Sequence, residues 1–352
     1  MAKKVEGELT EKQKKMQELL TSLNKEFGKN TIVSADGEEY EAYGDVIPVT
    51  SIKLSAATGI NGFPKNKIIE IIGWESAGKS TLSYDIIANC QREFGDHCLL
   101  IDKEASYDPL YAKQLFVDDS KLKIAYPDSL EDSYTVTERA LDSKLFGVIV
   151  VDSLTAFESA ASLNDQGGMG KEARINSDKL RRINAKVKDS NCCVIYINQM
   201  REKIGVMFGS PETTSGGNAL KFYASMRIMI RRKEIKADNE TNIMHFKIIK
   251  NKVAKPMKEA EINILWGKGF DTDKEYIDLA MDNQIITCVG KTWFYNGNKL
   301  EIGKDKSIQM IKDNPEMFEE IKTKVKELLL NNKAVLTEKI EENDNSTVSE
   351  GE

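Results

Sequence analysis

Ile68-Ile69-Glu70-Ile71-Ile72-Gly73-Trp74-Glu75-Ser76-Ala77-Gly78-Lys79-Ser80-Thr81 joins an apolar run, a glycine-bounded loop and the opening of a helix. The loop fits G-x-x-x-x-G-K-[ST], the phosphate-binding pattern. Gly73 and Gly78 let the backbone curl, so that Glu75, Ser76 and Ala77 turn successive N–H groups toward an anion. The helix that starts near Lys79 adds its positive dipole end. In this pattern Lys79 reaches the β- and γ-phosphates, the Ser80 hydroxyl ligates Mg²⁺, and Thr81 completes the nucleotide set. The apolar, alanine-containing stretch Leu82 to Cys90 that follows suits a helix packed on a sheet.

Downstream of this loop, strand-like and helix-like runs alternate, which predicts a mostly parallel sheet with crossover helices. The expected strands are Ile68–Ile72, Cys98–Asp102, Leu122–Tyr126, Val148–Asp152 and Cys193–Asn198. The expected helices are Lys79–Phe94, Pro109–Leu115, Leu130–Lys144 and Arg174–Val187. After Phe222 the pattern turns β-rich over Met226–Ile235, Ile243–Val253 and Glu259–Trp266, an antiparallel extension of the same sheet. From Gly269 a smaller unit predicts a helix (Lys274–Asn283), a hairpin turned at Asn296-Gly297 and helical runs Asp305–Asp313 and Asn314–Leu330. Upstream, Met16, Leu19, Leu20, Leu23 and Phe27 form the apolar stripe of an amphipathic helix that Gly28 stops. One helix cannot bury its own stripe, so it packs on its own core or on a neighbouring subunit. The segment Glu338 to Glu352 is polar, acidic and aperiodic and reads as a disordered tail.

Composition narrows the class. Hydrophobic content of 40% with 30% charged residues describes a globular chain with no membrane-length apolar run. The start, Met1 to Glu6, has no secretory apolar region, and the five cysteines form no C-x-x-C pair. Cys98, Cys192 and Cys193 lie in apolar strand-like runs that suit free core thiols, and a cytoplasmic protein is expected. Two histidines make a His-rich metal site improbable, and a net charge of −6 opposes DNA binding by the whole surface while leaving room for a local basic face.

Other strand ends carry the chemistry. Phe146 to Asp152 is an apolar strand ending in a carboxylate suited to hold Mg²⁺ beside a phosphate loop. Glu104 follows the strand Leu99–Asp102. Ligands sit at the carboxyl ends of such strands, so Glu104 reads either as the base for an attacking water or as an ordinary loop acid. Gln199 ends Cys193–Asn198 and could bond a γ-phosphate. The following Met200 to Asn218 carries Arg201, Lys203, Phe208, Thr213, Thr214, Gly216 and Gly217: cations, hydroxyls, open backbone and one aromatic, which suit a phosphodiester chain and a base wedge. A second loop, Ser162 to Gly170, contains Met169 and precedes Arg174, Lys179, Arg181 and Arg182, a run that equally describes a solvated helix face.

Gly73–Thr81, Ile101–Tyr111, Val148–Ser153, Ile197–Asn218 and Lys250–Pro256 together resemble the bacterial RecA recombinase family, and Ile204 to Ser225 resembles a family signature. The resemblance runs over nearly the whole chain. It implies a RecA-like P-loop ATPase core (35–268) of α/β class, with an N-terminal docking helix (1–34), a small α+β C-terminal domain (269–332) and an acidic tail (333–352). It implies a DNA-dependent ATPase that forms a helical filament on single-stranded DNA and exchanges strands with a duplex, using ATP and Mg²⁺, with Glu104 catalytic and Asp152 on the metal. By the same resemblance Gln199 couples ATP to the DNA loop, Asp108 and Tyr111 contact adenine, and Trp266 stands near the base. Lys250 and Lys252 reach the neighbouring subunit's ATP, Phe222 is an interface residue, and Met169, Gly170 and Arg174 match the family's first DNA loop; Arg181 joins the DNA-contacting set from the basic run on the helix that follows. A motor such as a hexameric helicase on the same core, and a scaffold that activates self-cleavage of a repressor, are the other readings. The chain departs from the family at Trp74, Ala77, Lys103, Ala105 and Ser106 and in a shorter first loop. Lys103, next to Glu104, is expected to favour that residue's ionised form.

Overall fold

The computed structural model describes residues 10–28, 32, 44–160, 162, 171–202, 212–214, 218–235 and 241–330, with the backbone alone at 171, 201–202, 212–214 and 330. The chain divides into two units, 1–44 and 45–352.

In the first unit, helix α1 (Glu11–Phe27) opens on a capping box. Gln13 N donates to Thr10 Oγ1, and the Gln13 side chain returns to Thr10 N at 2.8 Å. No residue of α1 is buried; Met16, Leu19 and Phe27 are all more than half exposed.

The second unit begins with a small antiparallel pair that no sequence pattern announced. Strands β1 (Val46–Pro48) and β2 (Gly62–Pro64) bracket helix α2 (Ile52–Thr58). The alternating region then follows as β3 (Ile68–Gly73), α3 (Lys79–Phe94), β4 (His97–Asp102), α4 (Pro109–Gln114), β5 (Leu122–Ala125), α5 (Leu130–Ser143), β6 (Phe146–Asp152), α6 (Lys171–Val187) and β7 (Cys193–Glu202). A short β8 (Glu212–Thr214) and α7 (Ala219–Tyr223) lead into β9 (Met226–Ile235), β10 (Thr241–Asn251), β11 (Glu259–Leu265) and β12 (Gly269–Phe270). The main sheet has the order β12-β11-β10-β9-β3-β7-β6-β4-β5. Pairing is parallel from β5 across to β9 and antiparallel beyond; the expected antiparallel extension is present, but its first strand, β9, joins β3 in parallel.

Because successive strand residues face opposite sides, β3 and β7 feed two cores. Ile69, Ile71, Ile195 and Ile197 pack with α3, while Ile68, Val194 and Tyr196 pack with α5 and α6. Burial on both faces is why these strands read as continuous apolar runs. Cys98, Cys192 and Cys193, on apolar strands, are buried free thiols as expected; Cys90 is buried as well, and Cys288 is exposed.

The C-terminal region holds α8 (Thr272–Asp282), β13 (Ile286–Val289), β14 (Thr292–Tyr295), β15 (Asn298–Ile302), α9 (Lys304–Lys312) and α10 (Pro315–Leu330), around a cluster of its own that includes Ile277, Tyr295, Ile311 and Ile321. Asn296 and Gly297, both at positive φ, make the two-residue hairpin turn. Helix α8 starts two residues earlier than expected because the Asp271 side chain caps Lys274 N. Buried Glu275 accepts from Ser51 Oγ (2.8 Å) and Lys53 N, tying α8 to the start of α2. The acidic tail lies outside the described residues.

Candidate nucleotide site

The phosphate loop is shaped by two glycines. A Cβ on Gly73 would stand 2.8 Å from Ile230 O on β9, so only glycine lets β3 end this close to its neighbour. Gly78, at φ +86°, is the N-cap of α3 and offers no capping side chain, which leaves the first N–H groups of the helix for a ligand. Lys79 Nζ folds back onto Trp74 O at 2.8 Å. Burial pulls its ammonium below the usual lysine range, against the attraction of Asp152, Glu104 and Glu75.

A cavity of about 420 Å³ opens beside this loop. Ser76, Ala77, Gly78, Lys79, Ser80 and Thr81 line one side; Asp108, Tyr111 and Trp266 line the other. The phosphate-side and base-side residues expected from separate stretches of chain thus meet in one space. Asp108 Oδ1 caps α4 by accepting from Leu110 N (2.9 Å) and Tyr111 N (3.1 Å), and Tyr111 OH shares a hydrogen bond with Thr81 Oγ1 at 2.7 Å. Among the lining residues that sequence reasoning missed are Gln114, Arg232, Asn242, Met244 and Ile264. Four of these come from β9 to β11, whose pattern announces strands and nothing more. Arg232 donates to Ser76 O and so braces the loop directly.

Three acids gather at the ends of β4 and β6. Asp102 and Asp152 are register partners, and Glu104 lies just beyond. Glu104 Oε1 accepts from Ser153 Oγ at 2.7 Å and from Gln199 Nε2 at 2.9 Å. Gln199 is the register partner of Gly73, so the glutamine, the glutamate and the phosphate loop are neighbours. Burial, then Glu104 and Asp102, push the Asp152 carboxyl up to about 7, with Lys79 opposing. Asp102 Oδ2 accepts from Tyr107 N, while buried Oδ1 has no hydrogen-bond partner among the described residues. Crowded, under-neutralised carboxylates of this kind fit a divalent cation. Among the described residues no three His, Cys, Asp or Glu side chains form a metal cluster; Mg²⁺ beside phosphates needs only one or two protein ligands.

One expectation is corrected. Lys103 does not sit beside the Glu104 carboxylate. Its Nζ donates to Asp128 O at 2.9 Å and lies 5.6 Å from the Phe157 ring. Adjacent residues leaving a strand point to opposite sides, so sequence proximity misled.

The sequence profile of the RecA N-terminal domain matches residues 14–271, and that of the RecA C-terminal domain matches 274–330. The chain is 42% identical over 342 residues to Protein RecA of Acinetobacter baumannii (strain ATCC 17978), covering 95% of this chain and 97% of that one. It is 42% identical over 325 residues to Protein RecA of Acinetobacter baylyi (strain ADP1), covering 91% and 93%. The chain belongs to the RecA family. As a family member it is a nucleotide- and DNA-binding, DNA-dependent ATPase that forms filaments and acts in recombination, repair and the SOS response to DNA damage. Among the described residues, no helix is long and apolar enough to cross a membrane.

Lys250 and Lys252 do not line the cavity. Lys252 N donates to Ser225 O, and Ser225 N to Ile68 O, so Lys252 is level with the start of β3. That is five residues, roughly 17 Å, from Gly73. Lys250 Nζ and Lys252 Nζ donate to Phe222 O at 3.0 and 3.2 Å, and Phe222 is 72% exposed. The lysines are therefore remote from their own protomer's phosphate loop.

The stretch Met200–Asn218, read as a loop, opens as a two-stranded ribbon in which Arg201 pairs with Thr213 and Met200 with Thr214. This ribbon continues directly from Gln199. Lys203, Phe208, Gly216 and Gly217, like Met169 and Gly170, lie outside the described residues. Arg174 and Arg181 are exposed on α6, where Arg181 pairs with Asp178 at 2.9 Å. An exposed pair of this kind is worth little and yields readily to phosphate.

Proposed function

We propose that ATP binds in the cavity between the phosphate loop and Trp266, with Mg²⁺ held by Ser80 and Asp152. The N-terminal N–H groups of α3 and Lys79 take the phosphates; Asp108, Tyr111 and Trp266 take the adenine. The bound Mg²⁺ supplies charge neutralisation at the phosphates. Glu104 orients and deprotonates the attacking water, and Gln199 exchanges its bond to Glu104 for one to the γ-phosphate. The observation that carries this reading is the Gln199 Nε2–Glu104 Oε1 hydrogen bond of 2.9 Å, which joins the base to the strand that becomes the DNA ribbon.

Lys250 and Lys252 act on the nucleotide of the adjacent protomer, which is supported by their distance from their own. The exposed stripe of α1 supports docking of residues 1–34 on a neighbour. The core (35–268) then carries ATP and DNA, with 269–332 as a second domain and 333–352 as an acidic tail. The strand is gripped by the Arg201–Gly217 segment, by Met169 and Gly170, and by Arg174 and Arg181, and exposes its bases for pairing with a duplex. The same filament is suited to promote self-cleavage of a repressor, and membership of the RecA family supports a cytoplasmic setting.

The deciding experiment is ATP hydrolysis with and without single-stranded DNA at matched salt, in the unaltered protein and in Gln199→Ala. Strong DNA stimulation that the variant loses supports the coupling. Equal stimulation in the variant refutes it.

A further inference from the structure

Glu70 sits in the middle of β3 with no exposed surface, among isoleucines. A buried carboxylate is costly unless paired, and even a paired one seldom improves on an apolar residue of the same size. Stability alone is thus a poor reason for its presence. Its two oxygens reach in opposite directions. Oε1 accepts from Asn198 Nδ2 at 2.9 Å on β7, and Oε2 accepts from Arg227 Nε on β9. Asn198 immediately precedes Gln199, which holds Glu104. Arg227 is the register partner of Lys250.

The surroundings extend this line. Burial, Lys252 and Arg227 pull the Lys250 ammonium down to about 8, and Glu70 is the group that opposes them. Lys250 and Lys252 both donate to Phe222 O in α7, the helix that follows the DNA segment. Asn198 and Gln199 face opposite sides of β7, so a twist or slide of that strand moves both. A shift that frees Gln199 from Glu104 therefore also alters the Asn198–Glu70 hydrogen bond. Packed interiors transmit such displacements because they do not deform freely.

We propose that Glu70 is a positioning residue that couples the nucleotide site at one end of the sheet to the Lys250–Lys252 pair at the other, so that each protomer sets its two interfaces together. Occupancy of one site then prepares the cations that complete the next site along the filament. The inference rests on the reading that these lysines act in trans.

The test is single-stranded-DNA-stimulated ATP hydrolysis by the full chain as a function of ATP concentration, for the unaltered protein, Glu70→Gln, Asn198→Ser and Lys250→Ala. Thermal melts establish that each variant is folded. The expected result is a sigmoidal curve for the unaltered protein and a Hill coefficient near one for Glu70→Gln and Asn198→Ser. Their rate at saturating ATP stays close to that of the unaltered protein, a separation that a general packing defect would not produce. Lys250→Ala is expected to lose the rate itself. Variants at positions 70 and 198 with unchanged sigmoidal curves overturn the coupling, as does a hyperbolic curve for the unaltered protein. An unchanged rate in Lys250→Ala overturns the trans reading instead, and the coupling with it. If Glu70→Gln does not fold, Asn198→Ser decides alone, since it removes the link without leaving Arg227 uncompensated.

Discussion

Replacing Asp152 with asparagine tests the charge balance of the site. The Asp152 carboxyl is pushed up to about 7, first by burial and then by Glu104 and Asp102. A cation needs the ionised form. At a pKa near 7 the group is about one-tenth ionised at pH 6 and nine-tenths ionised at pH 8, so Mg²⁺-dependent nucleotide affinity should rise about tenfold between them. Binding should also release close to half a proton at pH 7. The stability effect has the opposite sense. A carboxyl whose native pKa lies above its unfolded value favours the folded state below about pH 4, and that contribution disappears as the pH rises through 7. The nucleotide-free protein should thus lose stability over the interval in which it gains affinity. Asp152→Asn should bind weakly and with no such slope. Titration with a fluorescent ATP analogue at pH 6, 7 and 8, and calorimetry in two buffers of different ionisation heat, measure both quantities. An affinity that is flat with pH in the unaltered protein, or an equal slope in Asp152→Asn, refutes the reasoning.

Three further outcomes are expected. Gly73→Ala brings a methyl to 2.8 Å from Ile230 O and 3.2 Å from Ala77 Cβ; overpacking of about 1–3 kcal/mol should cost roughly tenfold or more in nucleotide affinity, and wild-type binding would argue against the close approach. Lys103→Ala removes one hydrogen bond to Asp128 O and should cost about 1 kcal/mol of stability in a thermal melt without moving the pH optimum of hydrolysis. A moved optimum would mean that the ammonium acts on Glu104 after all. Deleting residues after Thr337 should strengthen duplex binding chiefly at low salt in a filter-binding or anisotropy series; identical binding at every salt concentration would make the tail a bystander.

The parts of this protein legible from its sequence are those set by local order. Ile68–Gly73 followed by Gly78-Lys79-Ser80 is a strand, a turn and a helix whichever way the rest of the chain packs. The two-residue turn at Asn296-Gly297 and the acid ending Phe146–Asp152 are legible for the same reason. Alternating apolar runs specified a mostly parallel sheet because strands buried on both faces have no polar side to show. Contacts between strands far apart in sequence were not legible. Arg232 and Asn242 enter the cavity, and Glu70 bridges Asn198 and Arg227, only because β9 pairs with β3 and β10 with β9. Lys103 and Glu104 are neighbours in sequence and face different partners. Local sequence selects backbone conformation through the next few residues, whereas the environment of a charge is set by whichever strand the sheet brings alongside it.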